Sequence, residues 1–167
     1  KSKQPPLPKE LKSVYENPEN FNPADFFDIE AALVMAKAES LSYKKKLPLN
    51  ATIITYAMLL SERQTRLPSF VFNRLLIDSK DIAELVKNFL FSKQSSNRQE
   101  LPDDFFLDAI KNGVQKGNLR VSSGDLLAAL VKHDPILAQI FVETDNTVDD
   151  VNRLSWWWET VRKRISE

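Results

Sequence analysis

Apolar residues return every three or four positions along most of the chain from Asn22 onward, and no stretch alternates two by two over the length of a strand. That spacing is the signature of helices that bury one face. The first helix opens at Asn22-Pro23, an N-cap followed by a proline at the first helical position. Its apolar stripe is Phe26, Phe27, Ile29, Ala32, Leu33, Met35 and Ala36, and Lys44, Lys45 and Lys46 suit its C-terminus. A second helix runs from about Ala51 to Ser61, a third starts at Pro68 and a fourth near Asp81. A further set follows. Pro102 and Asp103 open its first helix, and Ser122 with Asp125 fits a capping box for its second. Asp134-Pro135 opens the third, and Thr147 with Asp150 caps the fourth, as Asp81 with Glu84 does in the first set. Eight helices and an all-α fold are expected.

The two sets are copies of one pattern. LNATIITYAM at 49–58 lies over VSSGDLLAAL at 121–130 at an offset of 72, which pairs Leu49 with Val121, Ile54 with Leu126, Ala57 with Ala129 and Met58 with Leu130. PSFVFNRLLIDSKDIAEL at 68–85 lies over DPILAQIFVETDNTVDDV at 134–151 at an offset of 66, which pairs Leu75 with Phe141, Leu76 with Val142, Ile82 with Val148 and Leu85 with Val151. One helical unit is used twice. Small residues recur at i, i+4 in both first helices, as Ala38/Ser42 and Ala109/Gly113, where a neighbouring helix can come close. The chain divides into a proline-rich lead-in at 1–22, a double-repeat domain at 23–155, and a Trp-rich helical extension at 156–167 toward a following domain. Within the double repeat, 23–91 is repeat one, the polar stretch 92–100 is a linker, and 101–155 is repeat two. Pro5 and Pro8 make a PxxP match in the lead-in, where a stiff spacer is the simpler reading.

Composition removes several classes of function. The 167 residues include no cysteine, so there is no disulfide framework, thiol nucleophile or cysteine zinc site. Lys+Arg and Asp+Glu both number 23, so no global field draws the chain to nucleic acid. Only Gly113, Gly117 and Gly124 are available, and none begins a phosphate-cradling GxxxxGK[ST] loop. No cofactor is expected. His133 is the sole histidine, placed in a helix–helix turn beside Asp134 and Pro135, and no GxSxG accompanies it. It reads as a surface turn residue, and no catalytic residue is assigned. Asp145, Asp149 and Asp150 lack the spacing and glycine of a calcium loop and read as a solvated helix start, so no metal site is assigned. Asn50-Ala51-Thr52 matches a glycosylation acceptor but opens a helix.

The paired pattern resembles the amino-terminal domain of Clp-type AAA+ protein unfoldases. Its strongest motif is Val121-Ser122-Ser123-Gly124-Asp125-Leu126-Leu127-Ala128-Ala129-Leu130, with a looser copy from Leu49 to Met58. The resemblance implies two four-helix repeats packed about a pseudo-twofold axis, and a recognition module rather than a catalyst. Partners implied are unfolded or tagged protein substrates or an adaptor, with an AAA+ ring downstream in the parent chain. It implies the cytoplasmic face of a bacterial-type cell. The start at Lys1 rather than Met is expected of a segment of a longer protein, so an upstream membrane anchor stays open. Some members read phosphoarginine through a glutamate just before the His/Asp of each motif. Thr52 and Gly124 stand at those positions, and Ile53 stands at the His/Asp position of the first copy.

Aromatics carry the candidate contacts: Phe70, Phe72, Phe105 and the run Trp156-Trp157-Trp158. Three consecutive residues on a helix spread over about 200°, so they cannot all enter one face. One reading continues an inward stripe through Leu154, Trp157 and Val161; a second makes the run a docking surface. A third places it at a membrane interface with Arg162, Lys163 and Arg164 on headgroups. Capture of an exposed apolar segment between helices is the function expected. The alternative is a free-standing helical scaffolding domain without an ATPase.

Overall fold

The computed structural model describes residues 26–92, 101–102 and 104–166, with side chains described up to residue 161. The lead-in with Pro5 and Pro8, the expected start at Asn22-Pro23, Asp103 and the side chains of Arg162, Lys163 and Arg164 lie outside these residues. The described residues form eight helices: α1 (Ile29–Lys45), α2 (Ala51–Leu60), α3 (Leu67–Arg74), α4 (Ser79–Phe91), α5 (Asp104–Gln115), α6 (Ser123–His133), α7 (Pro135–Glu143) and α8 (Val148–Ser166). Among the described residues an isolated parallel bridge joins Phe27 and Val121, and none belongs to a strand.

Local chemistry sets most of the ends. Asp28 caps α1, its carboxylate accepting from the Ala31 N–H at 2.8 Å. The α1 start is therefore at Ile29, and Phe26 and Phe27 precede the cap. Phe27 is in phase with that helix's buried Ala31, Val34 and Ala38, but counting Phe26 into the stripe leads to Ile29, Leu33 and Ala36, which are exposed. The buried face is Ala31, Val34, Met35 and Ala38, the i, i+3, i+4, i+7 set, while Ile29 is 80% exposed and Leu33 also faces out. Asn50 caps α2 through the Ile53 N–H at 2.9 Å. Asp78, not Asp81, caps α4, accepting from the Lys80 N–H at 2.9 Å. The capping boxes at Ser122/Asp125 and Thr147/Asp150 are both present: the Ser122 N–H donates to Asp125 at 2.9 Å and the Thr147 N–H to Asp150 at 2.8 Å. The first helix of each half ends in the same way. Lys46 (φ 53°) and Gly117 (φ 76°) take the left-handed conformation, and the next amide donates back, Leu47 to the Ser42 carbonyl at 3.1 Å and Asn118 to that of Gly113 at 2.9 Å.

α2 and α6 form the centre. From Ser123 to Val131 every residue of α6 is buried, and α2 buries all its residues but Tyr56, Leu59 and Leu60. α1 packs on α2 and α5 on α6; α4 lies against α2 and α8 against α6. The halves then exchange partners: α3 meets α8 and α7 meets α4, as two units related by a twofold axis through α2 and α6 must do. The offset of 72 is matched by burial, for Ile54 and Leu126, Ala57 and Ala129, and Met58 and Leu130 are all buried. The offset of 66 is corrected to 69. Phe72 answers to Phe141, the left-handed Leu76 to Asp145, the cap Asp78 to Thr147, and buried Ile82 to buried Val151. The difference is three residues, close to one helical turn, so the wrong register also laid apolar on apolar.

The halves are tied by a buried carboxylate. Asp134 is fully buried; Oδ1 accepts from Thr52 Oγ1 at 2.9 Å and from the Ile136 N–H at 3.1 Å, and Oδ2 from Thr55 Oγ1 at 2.8 Å. One residue thus caps α7 and satisfies two hydroxyls of α2. Its counterpart at the corrected register is Thr65, buried, with Oγ1 unpartnered among the described residues. The reason is reciprocal: the counterparts of Thr52 and Thr55 are Gly124 and Leu127, which offer no hydroxyl.

Close approach is the other constraint on the centre. A Cβ at Gly113 would stand 2.7 Å from Asp125 Oδ2, and one at Gly124 would stand 2.6 Å from Ser155 Cβ. With Ala38 and Ala109 fully buried, the small residues of α1 and α5 are where neighbours come near.

Asp134→Ala removes the α7 cap and strands the Thr52 hydroxyl, while Thr55 keeps the Ala51 carbonyl at 3.2 Å. It is expected to lower unfolding stability by roughly 2–4 kcal/mol in urea titration. A loss below about 0.5 kcal/mol would show that this carboxylate does not hold the two halves together.

Candidate functional site

The inner stripe of α8 runs through Val151 and Ser155, with Leu154 and Trp158 partly buried, and not through Trp157 and Val161 as one reading expected. Ser155 must be small because Gly124 of α6 presses on it. That register turns Trp157 toward α3. Trp157, 46% exposed, stacks on Phe70 with centroids 5.4 Å apart and planes 10° from parallel. Trp158 tilts against the same ring at 4.8 Å. The Arg74 guanidinium lies over both Phe70 and Trp157, at 5.5 and 6.0 Å from their centroids.

These rings floor a groove of about 520 Å³, which Val161 extends along α8. Its rim carries Arg63 and Arg66 from the turn between α2 and α3, and Glu30 from the start of α1. Glu30 accepts from Ser123 Oγ at 3.3 Å, so this corner bridges the two halves. The groove is thus apolar below and mostly cationic at its edge.

Of the six aromatic candidates, Phe70, Trp157 and Trp158 meet here. Trp156 is 52% exposed and lines no part of the groove. Phe72 and Phe105, expected at the surface, are corrected to core positions at 1% and 0% exposure. Phe72 lies on the inward face of α3 beside buried Val71, about 200° around the helix from Phe70. Phe105 is locked by edge contacts with Phe106 at 5.2 Å and His133 at 5.8 Å. Arg63, Arg66, Arg74 and Glu30 were not singled out from the sequence.

The remaining candidate chemistry is structural. His133 is not a free surface residue: Nε2 lies 2.6 Å from Asp108 Oδ2. Partial burial works against ionised Asp108, but His133 and Lys132 outweigh it and hold that carboxyl below its ordinary range. Asp125, fully buried, meets Lys116 Nζ at 2.6 Å and Asn118 Nδ2 at 3.2 Å in addition to its capping role. Ile53 takes the matching place in the first half, buried in hydrocarbon. Thr52 is consumed by Asp134, and Gly124 has no room for a side chain, so neither position presents a guanidinium-binding group at the surface. Asp150 is occupied by Thr147 and Arg153, and among the described residues no three His, Asp or Glu side chains converge on a metal-sized point. No described helix is long and apolar enough to cross a membrane.

Asp28, beside a second hollow near Glu159 and Arg120, titrates unusually. Burial, then repulsion from Glu30, Glu159 and Asp125, raises its carboxyl from 3.8 to about 6, against the Ala31 N–H bond that favours the charge.

No family model matches the chain, and no curated protein matches it significantly. Among solved structures it is similar to the N-terminal domain of Hsp104 from Candida albicans, with a TM-score of 0.58 over 77% of this chain and 88% of that domain. The fold is Clp N-type. At 19% identity the likeness is one of fold, and the two four-helix halves described above account for it.

Because the folded carboxyl of Asp28 binds a proton that the unfolded one releases, its ionisation costs stability at neutral pH, and the cost fades as pH falls from about 6 toward 3.8. Asp28→Asn keeps an equally good cap without the charge. It is expected to stabilise the domain at pH 7.5 and to lose that advantage near pH 4.5, measured by urea unfolding at both. A difference that does not change with pH would mean the carboxyl is not held unfavourably.

Proposed function

We propose that the domain is the substrate- or adaptor-binding amino-terminal module of a Clp-type ATP-dependent protein unfoldase, non-catalytic by itself, that captures exposed apolar segments for a ring ATPase in the parent chain. The observation that carries this is the groove between α3 and α8. It gathers three aromatic rings, with Trp157 exposed and Phe70 and Trp158 partly buried, at the junction of the two halves. Half-exposed tryptophan over a stacked partner is the kind of surface that binding hot spots use. The Clp N-type fold supports the module's place in such a machine. The sequence holds no GxxxxGK[ST] loop, and among the described residues no converging set of catalytic groups competes with a binding role.

The test uses fluorescently labelled, reduced and carboxymethylated α-lactalbumin, which stays unfolded. The 167-residue chain is expected to bind it saturably, and Trp157→Ala to weaken binding about tenfold or more while costing no more than about 1.5 kcal/mol of stability, the worth of one aromatic pair. Trp158→Ala, further inside, is expected to cost about 3 kcal/mol. Absence of binding by the unaltered chain, or equal binding by Trp157→Ala, would remove the groove as a capture site.

A further inference from the structure

The groove's charge is as specific as its aromatics. Arg63 and Arg66 are exposed on its rim, and among the described residues neither has a carboxylate partner. Among the described residues Glu30 is the single lining carboxylate, and it already accepts from Ser123. Arg74 adds a third guanidinium over the aromatic faces. This cationic rim sits on a chain with as many acidic as basic residues, so it is a local arrangement and not the reflection of a basic protein. Nor is it inherited from the repeat. At the corrected register Phe70 answers to Gln139, Trp157 to Asn88 and Arg66 to Pro135, so the corresponding place between α7 and α4 has neither the stack nor the full rim.

We propose that this groove selects peptide segments that are both apolar and acidic. An aromatic or aliphatic side chain lies on the Phe70–Trp157 stack, and flanking carboxylates pair with Arg63 and Arg66. Guanidinium forks match carboxylates in two-point geometry, and a mainly cationic rim disfavours flanking lysines while it attracts glutamates. The inference rests on the groove being the capture site and adds the chemistry of what it captures.

Three fluorescein-labelled peptides share a Leu-Phe-Leu core flanked on both sides by Glu, Gln or Lys. Their binding to the 167-residue chain is followed by anisotropy. The Glu peptide is expected to bind about tenfold tighter than the Gln peptide and on the order of a hundredfold tighter than the Lys peptide at low salt. The spread should narrow in about 0.5 M salt, where exposed charges are screened. Arg63→Glu/Arg66→Glu should invert the order, so that tight binding of the Lys peptide certifies the variant as folded. Equal binding of all three peptides, lost on Trp157→Ala, would overturn the charge selection and leave the capture site standing. No binding of any peptide or of unfolded α-lactalbumin would overturn both. Binding to phosphatidylglycerol vesicles in place of the Glu peptide would overturn the proposal by making the rim a lipid-headgroup surface.

Discussion

A helix enclosed on every side has no solvent into which to turn a polar group, and α6 is enclosed by α5, α7, α8 and the helices of the other half. Everything placed on it must therefore be small, apolar or fully answered. Gly124 is small because Ser155 presses on it; Ala128 and Ala129 let flanking helices close; Asp125 is answered by Ser122, Asn118 and Lys116. Burying that carboxylate and ammonium together is worthwhile only because the capping bonds fill the remaining lone pairs. The same closeness fixes the rotation of α8. With Ser155 against Gly124, Trp158 is turned half inward and Trp157 is left facing α3, so the groove's floor follows from packing at the centre.

The two halves solve one geometric problem with different chemistry. Where α6 carries Asp125 in an ionic network, α2 carries Ile53 in hydrocarbon; where α7 is capped by Asp134, α3 begins with no side-chain cap at all. Asp134 reaches across to the hydroxyls of Thr52 and Thr55, and the return contact from Thr65 finds none. The pairing is thus one-sided: the second half holds the first, through groups that the first does not reciprocate. Such divergence leaves the α3–α8 face free to acquire a chemistry that the α7–α4 face lacks.

Much of this fold could be read from residues alone, and the failures have definite causes. The α2 and α6 motifs were plain because their apolar positions are continuous and their caps, Asn50 and the Ser122/Asp125 box, are spelled in one short stretch. The register of α1 was not plain because Phe26, buried but ahead of the cap, is in phase with the exposed Ile29, Leu33 and Ala36. The 66 offset passed for the true 69 because three residues nearly complete a turn. At the site, the Trp run announced itself by the impossibility of burying three neighbours. Phe72 and Phe105 did not declare their burial, since an aromatic on a helix looks the same whichever way it faces. Arg63, Arg66 and Arg74 gave no signal: they come from a turn and a helix end, and only tertiary packing gathers them around Phe70.

All three tryptophans of the chain occupy one turn of α8, two of them in the groove. The protein's intrinsic emission is therefore blind to most of its mass. Two of its three indoles report on the seam between α3 and α8, so loosening at that seam changes the spectrum while helicity, averaged over eight helices, stays constant. A chain built on an approximate symmetry carries in this way an optical label on only one of its two related faces, placed there by the sequence itself.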